Sequence, residues 1–138
     1  MEFRVDDDPD PLDLEFLETQ IRREASAATG LGDEVELAIF VRDAGAVVAG
    51  ISGWTWGDCC ELQSLWVQPS LRGRGLATRL IAAAETEAAA RGCSQTVHFT
   101  YAFQDRGLYE RNGYELMAKV ENFPSGTHVL WYRKLLSP

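Results

Sequence analysis

The stretch that decides the reading is Leu65-Trp66-Val67-Gln68-Pro69-Ser70-Leu71-Arg72-Gly73-Arg74-Gly75-Leu76-Ala77-Thr78. Its opening is apolar and suited to a strand, and Pro69 stops that strand because it has no N–H to give to a ladder. The residues after Gly75 are rich in Ala and Leu, which favour helix. The pattern is a strand, a loop with two glycines, and the start of a long helix. The first N–H groups of a helix have no partner within it, and the helix dipole puts partial positive charge at the same end. Glycine lets an anion approach the backbone without meeting a Cβ, while Arg72 and Arg74 add full charge and forked donors. Together these features make an anion site suited to a phosphate or pyrophosphate.

Two common phosphate motifs do not fit. A P-loop needs Lys-Ser/Thr after its last glycine, and here Leu76 and Ala77 follow Gly75. A dinucleotide fingerprint needs a third glycine and opens a βαβ unit, whereas this loop follows strands that read as antiparallel. The plain alternative is a tight glycine-rich turn with two solvated arginines.

Working upstream, Val35–Arg42 alternates, with Val35, Leu37, Ile39 and Val41 on one face of a strand. The turn Asp43-Ala44-Gly45 leads to a strand Ala46–Trp56, and Gly57-Asp58 turns into a strand Cys59–Val67, so the three form an antiparallel meander. Further upstream, Leu14, Leu17 and Ile21 recur at helical spacing within Leu12–Thr29, which Gly30 and Gly32 end. The acidic run Asp6–Asp10 with its prolines reads as a loop after a short strand at Glu2–Val5. Downstream, the helix runs from about Gly75 to Arg91 with Gly92 at its C-terminal cap. There follow a short strand Thr96–Thr100, a short helix Gln104–Arg111 ended by Asn112-Gly113, and strands Tyr114–Glu121 and Thr127–Leu135 joined by the turn Asn122–Gly126. The expected fold is α+β: a mixed, mostly antiparallel sheet of about six to seven strands flanked by helices, in the order β-α-β-β-β-α-β-α-β-β, with one parallel pairing across the strand–helix–strand unit.

At 138 residues, 46% apolar and 25% charged, the chain fits a single globular domain, residues 1–138. A net charge of −8 disfavours nucleic acid and anionic lipid and suits cationic partners. Cys59, Cys60 and Cys93 are odd in number, and two are adjacent, which suits neither a disulfide framework nor a metal site. Free thiols, an N-terminus without a secretory signal, and no apolar run of the ~18–20 residues that span a bilayer make the cytoplasm the expected location.

A second block, Leu108-Tyr109-Glu110-Arg111-Asn112-Gly113-Tyr114, lies 37 residues on (72 to 109). With it, the sequence resembles the GNAT family of N-acetyltransferases. Arg72-Gly73-Arg74-Gly75-Leu76-Ala77 matches the family pattern R/Q-x-x-G-x-G/A, Val67-Gln68-Pro69 matches its lead-in, and the element order matches over essentially the whole chain. The resemblance implies acetyl-CoA as donor and no metal. Backbone groups of Leu65 and Val67 would pair with the pantetheine arm, Arg72, Gly73, Arg74, Gly75, Leu76, Ala77 and Thr78 would wrap the pyrophosphate, and a backbone N–H near Leu65 or Trp66 would meet the carbonyl oxygen. The thioester would point into a gap between the strands ending at Val67 and at Thr100.

Direct attack by an amine needs a base for its proton and an acid for the departing thiolate. Tyr109 is the candidate acid, since a phenol near pKa ~10 lies close to a thiol near ~8.5. Glu61, 11 residues before Arg72, is the candidate base and stands where the family's histone-acetylating members carry a glutamate. Alternation places Glu61, Gln63 and Leu65 on one face, and Trp54, Trp56 and Trp66 offer apolar surroundings that raise a carboxyl pKa. His98 is a rival base on the facing strand. The sequence departs from the family at Ala102, where many members carry Asn seven residues before the Tyr; Gln104, in a Phe103-Gln104 pair typical of a subgroup, would replace that cofactor contact.

The implied acceptor site draws on the first helix and its loop, the Trp54–Asp58 turn and the final hairpin. These hold Asp13, Glu15, Glu18, Asp33, Asp58 and Glu121, which suit a cationic amine. The expected function is acetyl transfer to a primary amine, whether a small polar amine or a peptide lysine or N-terminus. The alternative is a non-catalytic acyl-CoA-binding module. The apolar final hairpin fits either a monomer or a homodimer.

Overall fold

The computed structural model of the chain describes residues 1–102, 104 and 107–137. It divides into two compact units, Met1–Gly32 and Asp33–Pro138.

In the first unit, helix α1 (Pro11–Thr29) starts where Asp10 Oδ1 accepts the Leu12 N–H at 2.9 Å, with Pro11 preset for the first turn. It stops at Gly30, whose φ of 74° is left-handed and whose N–H returns to Ser26 O. The strand expected at Glu2–Val5 is absent; those residues are irregular and exposed. Four residues hemmed in by the acidic run have too few apolar side chains to hold a register, and the Arg4–Glu2 ion pair at 2.8 Å is their own local contact.

The second unit is a six-stranded sheet in the order β1-β2-β3-β4-β6-β5, formed by β1 (Val35–Asp43), β2 (Ala46–Trp56), β3 (Cys59–Val67), β4 (Gln95–Tyr101), β5 (Glu115–Glu121) and β6 (His128–Leu135). The meander β1–β2–β3 is antiparallel, β3–β4 is parallel, and the rest is antiparallel. The β1–β2 turn has positive φ at both Ala44 (48°) and Gly45 (83°), the geometry that matches strand twist in a two-residue hairpin.

Helix α2 (Leu76–Ala90) crosses between β3 and β4 and packs on β1, β2 and β3. Leu80, Ile81, Ala84 and Ala88 are its buried stripe, against Leu37, Ala49, Ile51, Leu62 and Val67. Burying Leu80 and Ile81 stabilises by about 1.5–3 kcal/mol each, and the alanines let the helix approach closely. Gly92, at φ 88°, turns the chain out of the helix, and the Cys93 N–H returns to Ala88 O. Arg91 then pins this end to the meander, donating to Glu36 O at 3.0 Å and Thr55 Oγ1 at 3.2 Å.

Helix α3 (Gly107–Arg111) is shorter than the expected Gln104–Arg111; Phe103, Asp105 and Arg106 lie outside the described residues, and Gln104 is a bend after β4. The Tyr114 hydroxyl, between α3 and β5, joins Thr96 Oγ1 at 2.8 Å to Glu85 Oε2 at 3.0 Å, and Lys134 Nζ meets Glu85 Oε1 at 2.9 Å. This network ties α2 to β4 and β6 on the same face of the sheet. The three thiols are free. Cys60 lies in the core, where burial pushes its pKa up to about 12 and keeps it protonated.

Candidate active site

The site begins with a break in β3. Leu62 pairs with Gly53 of β2 but Ser64 pairs with Ser52, so Gln63 is an extra residue, a β-bulge. Gly53 makes room for it, because a Cβ there would collide with Glu61 O. The bulge shifts the alternation. Cys60 and Leu62 are buried before it, and Leu65 and Val67 carry the buried side after it. Glu61 and Leu65 therefore sit on opposite faces, and the expectation that Glu61, Gln63 and Leu65 share one face is overturned.

The bulge also marks where the sheet opens. β3 and β4 pair from Cys59↔Gln95 to Leu62↔His98 and no further. Past that vertex lies a cleft of about 830 Å³, lined by Ser64–Val67 of β3, by Arg72, Gly73 and Gly75–Thr78 of the loop and α2, by His98–Tyr101 of β4, and by Gln104, Tyr109 and Arg111. The Gln68 N–H bonds back to Val48 of β2, so alternation turns the backbone of Trp66 toward β2 and that of Leu65 and Val67 toward the cleft. The Leu65 N–H is thus a candidate oxyanion donor and the Trp66 N–H is not. Trp66 contributes a half-exposed indole on the face opposite α2.

At the other end, a short 3-10 turn (Pro69–Leu71) leads into the glycine loop. Gly73 and Gly75 have φ of 77° and 80°, and a Cβ at either would meet nothing within 4 Å, so the loop surface is open. The first intrahelical bond of α2 is Arg79 N–H to Gly75 O, which leaves the N–H groups of Leu76, Ala77 and Thr78 directed out of the helix at the cleft mouth. These residues fit a pyrophosphate. The arginines are not equivalent. Arg72 turns its Nε back to Val67 O at 2.9 Å, so it braces the loop against β3. Arg74 is not among the residues lining the cleft.

Gln104 holds the end of β4, its Oε1 accepting from Thr100 Oγ1 at 2.6 Å and from the Tyr101 N–H at 3.1 Å. Its amide nitrogen remains a donor at the cleft, whose lining it shares. Tyr109 is 3% exposed and lies at the vertex, with its hydroxyl 2.7 Å from His98 Nε2 and its ring stacked on Tyr132 at 5.4 Å. Burial lowers the His98 pKa to about 4, so the imidazole is neutral. Its Nε2 is engaged by the Tyr109 hydroxyl, so His98 belongs to the Tyr109 site. Its signal in the sequence is a polar residue between Thr96 and Thr100 on the buried face of β4, which says nothing about Tyr109.

Glu61 lies one residue before the vertex, facing away from α2 and outside the cleft lining. Burial raises its pKa, and a hydrogen bond from the Trp54 side chain partly opposes the rise. On that same face Phe99 contacts Trp131 at 5.3 Å and Tyr101 at 5.5 Å, an aromatic surface beside the opening. Among the acids expected to attract an amine, Asp33 instead caps the β2–β3 turn through the Gly57 N–H at 3.1 Å, and Glu121 pairs with Lys119 at 3.5 Å. Asp13, Glu15 and Glu18 lie on α1, in the other unit.

The fold has relatives among known proteins. The blasticidin-S acetyltransferase of Streptomyces morookaense is 36% identical over 103 residues, covering 70% of this chain and 74% of that protein. A crystal structure from Agrobacterium tumefaciens, assigned as an acetyltransferase, superposes with a TM-score of 0.90 at 29% identity, over 98% of this chain and 99% of that one. An aminoglycoside 6'-N-acetyltransferase complexed with coenzyme A has the same fold, with a TM-score of 0.66 at 20% identity over 100% of this chain and 98% of that one. A sequence profile of the acetyltransferase (GNAT) family matches residues 2–114, and the chain belongs to that family of acetyltransferases.

Proposed function

We propose that the chain transfers the acetyl group of acetyl-CoA to a primary amine of a small polar acceptor, by direct attack. The observation that carries this reading is one continuous cleft running from the outward N–H groups of Leu76–Thr78 to Tyr109 at the vertex of β3 and β4. The family match runs across both units of the chain, which supports reading residues 1–138 as one N-acetyltransferase domain. A relative that acts on blasticidin S favours a small molecule over a protein lysine. Three free thiols suit the cytoplasm.

The donor supplies an activated acetyl thioester; the chain supplies position and proton management. Gly73, Gly75 and the start of α2 hold the pyrophosphate, braced by Arg72. The cleft-facing backbone of Leu65 and Val67 aligns the pantetheine arm, and the Leu65 N–H stabilises charge growing on the carbonyl oxygen. The acceptor approaches on the face that carries Glu61 and the Phe99–Tyr101–Trp131 surface. Glu61 takes one proton from the ammonium group, the neutral amine attacks the thioester carbon, and the second N–H proton of the adduct passes to water as the C–S bond breaks. Tyr109 gives its proton to the departing sulfur.

The raised pKa of Glu61 fixes a pH dependence. The base works only when ionised, so the rate falls as pH drops through that raised pKa. Glu61→Gln is expected to lower the plateau about 100-fold and to remove that acid limb; a pH–rate profile of both proteins checks it, and an unchanged limb removes Glu61 from the mechanism. The function itself is tested by offering acetyl-CoA with small cationic amines, nucleoside amines and a lysine peptide while following free thiol. Thiol release that depends on a small amine is expected. Binding of CoA with no amine-dependent release across the panel would sink the proposal.

A further inference from the structure

We propose that His98 is the positioning residue for Tyr109: it donates Nε2–H to the phenol oxygen, aims the hydroxyl, and stabilises the phenolate left when the proton has gone. This rests on Tyr109 as the acid of the proposed reaction.

The geometry is close and buried. His98 is the last β4 residue paired with β3, is 3% exposed, and lines the cleft together with Tyr109. Its Nε2 is 2.7 Å from the Tyr109 hydroxyl, and the rings lie 4.4 Å apart at 33°. The other ring nitrogen, Nδ1, is buried with no hydrogen-bond partner among the described residues. That asymmetry selects the tautomer. Buried N–H groups without an acceptor are rarer than buried lone pairs without a donor, so the ring proton belongs on Nε2 and the bare lone pair on Nδ1. With Nε2 as donor, the phenol oxygen accepts from His98 and keeps its own proton to give. In the opposite tautomer, the phenol would spend that proton on the imidazole.

The surroundings hold the pair in this state. Burial keeps the imidazole neutral, with a pKa of about 4. Around it stand Tyr132, stacked on Tyr109, and Tyr114, edge-on at 5.7 Å. Glu110 accepts from the Tyr132 hydroxyl at 3.2 Å, and Arg111 lines the same cleft. When Tyr109 passes its proton to sulfur, the Nε2–H bond becomes charge-assisted and shortens. The imidazole itself transfers no proton, and the phenolate is reprotonated from water after product leaves.

The first test does not depend on turnover. The chain has two histidines, so 15N NMR of labelled protein, assigned with His98→Gln, reads the His98 tautomer directly. The expected result is a protonated Nε2 and an unprotonated Nδ1 from about pH 5 to 9; an Nδ1–H tautomer would overturn the proposal. The second test is kinetic. His98→Phe removes the donor and is expected to lower kcat about tenfold to hundredfold with the KM for acetyl-CoA held within about twofold. His98→Gln, which keeps an amide donor, is expected to recover most of that loss. Equal losses in the two variants, or a loss confined to KM, would overturn the role. If Tyr109→Phe has no effect on rate, the acid assignment fails by itself, and the NMR result still reports whether the donor points as proposed.

Discussion

Replacing Tyr109 with Phe is expected to lower kcat by about two orders of magnitude or more while the Kd for CoA stays within about twofold. The ring is needed where it is: it stacks on Tyr132 and meets Tyr114 edge-on, and Phe preserves both contacts. What Phe removes is the hydroxyl 2.7 Å from His98 Nε2. A thiolate that leaves without a proton donor recaptures the acetyl group, so the loss falls on the chemical step. Stopped-flow thiol release with a calorimetric titration of CoA separates the two quantities. An unchanged kcat would remove Tyr109 as the acid; a large rise in Kd would make it a binding residue.

Gly53→Ala is expected to be the most damaging small substitution in the sheet. The added Cβ would collide with Glu61 O and come within 2.9 Å of both Glu61 C and Leu62 Cα. These are backbone atoms of the neighbouring strand and cannot swing aside. Relief requires either parting β2 from β3 or losing the bulge at Gln63, and losing the bulge would also close the opening from which Leu65 and Val67 address the cleft. Overpacking a core typically costs about 1–3 kcal/mol; a backbone collision puts this variant at or above the top of that range. Gly50→Ala is a milder comparison, since its Cβ meets Phe40 Cδ1 at 3.0 Å and Ile39 O at 3.1 Å, a ring edge and a single carbonyl. Denaturant midpoints of the two variants check the order, and equal small shifts would show that the bulge is not held by Gly53.

The parts of this structure that were legible in sequence are those with a local cause. Alternation over Val35–Arg42, the glycines at hairpin turns, and the strand–glycine loop–helix order each follow from residues a few positions apart. The loop at Gly73 and Gly75 is open, and the backbone of Leu65 and Val67 faces the cleft. The bulge was not legible, because its cause lies on another strand: Gly53 permits it, and nothing near Gln63 announces it. One inserted residue moves a side chain to the other face, which is why Glu61 was expected beside Leu65 and lies opposite. His98 and Tyr109 stand 11 positions apart on different elements (98 to 109), and only the packing of α3 against β4 and β6 joins them. Arg72 reads as a phosphate ligand because charge near a helix start favours that role; the bond from its Nε to the Val67 carbonyl, exposed where β4 splays away, was not legible, and the residue also lines the cleft. The strand expected at Glu2–Val5 does not form, since a strand needs a partner that four residues cannot specify.

The central claim is that the loop before α2 holds the pyrophosphate of the acetyl donor. It is tested most directly by titrating the unmodified protein calorimetrically with CoA and with pantetheine, which shares the thiol arm and lacks the pyrophosphate. Several charge-assisted hydrogen bonds, each contributing about 1.5–3 kcal/mol, predict CoA binding at least about 100-fold tighter than pantetheine. Equal affinity for the two would contradict the account.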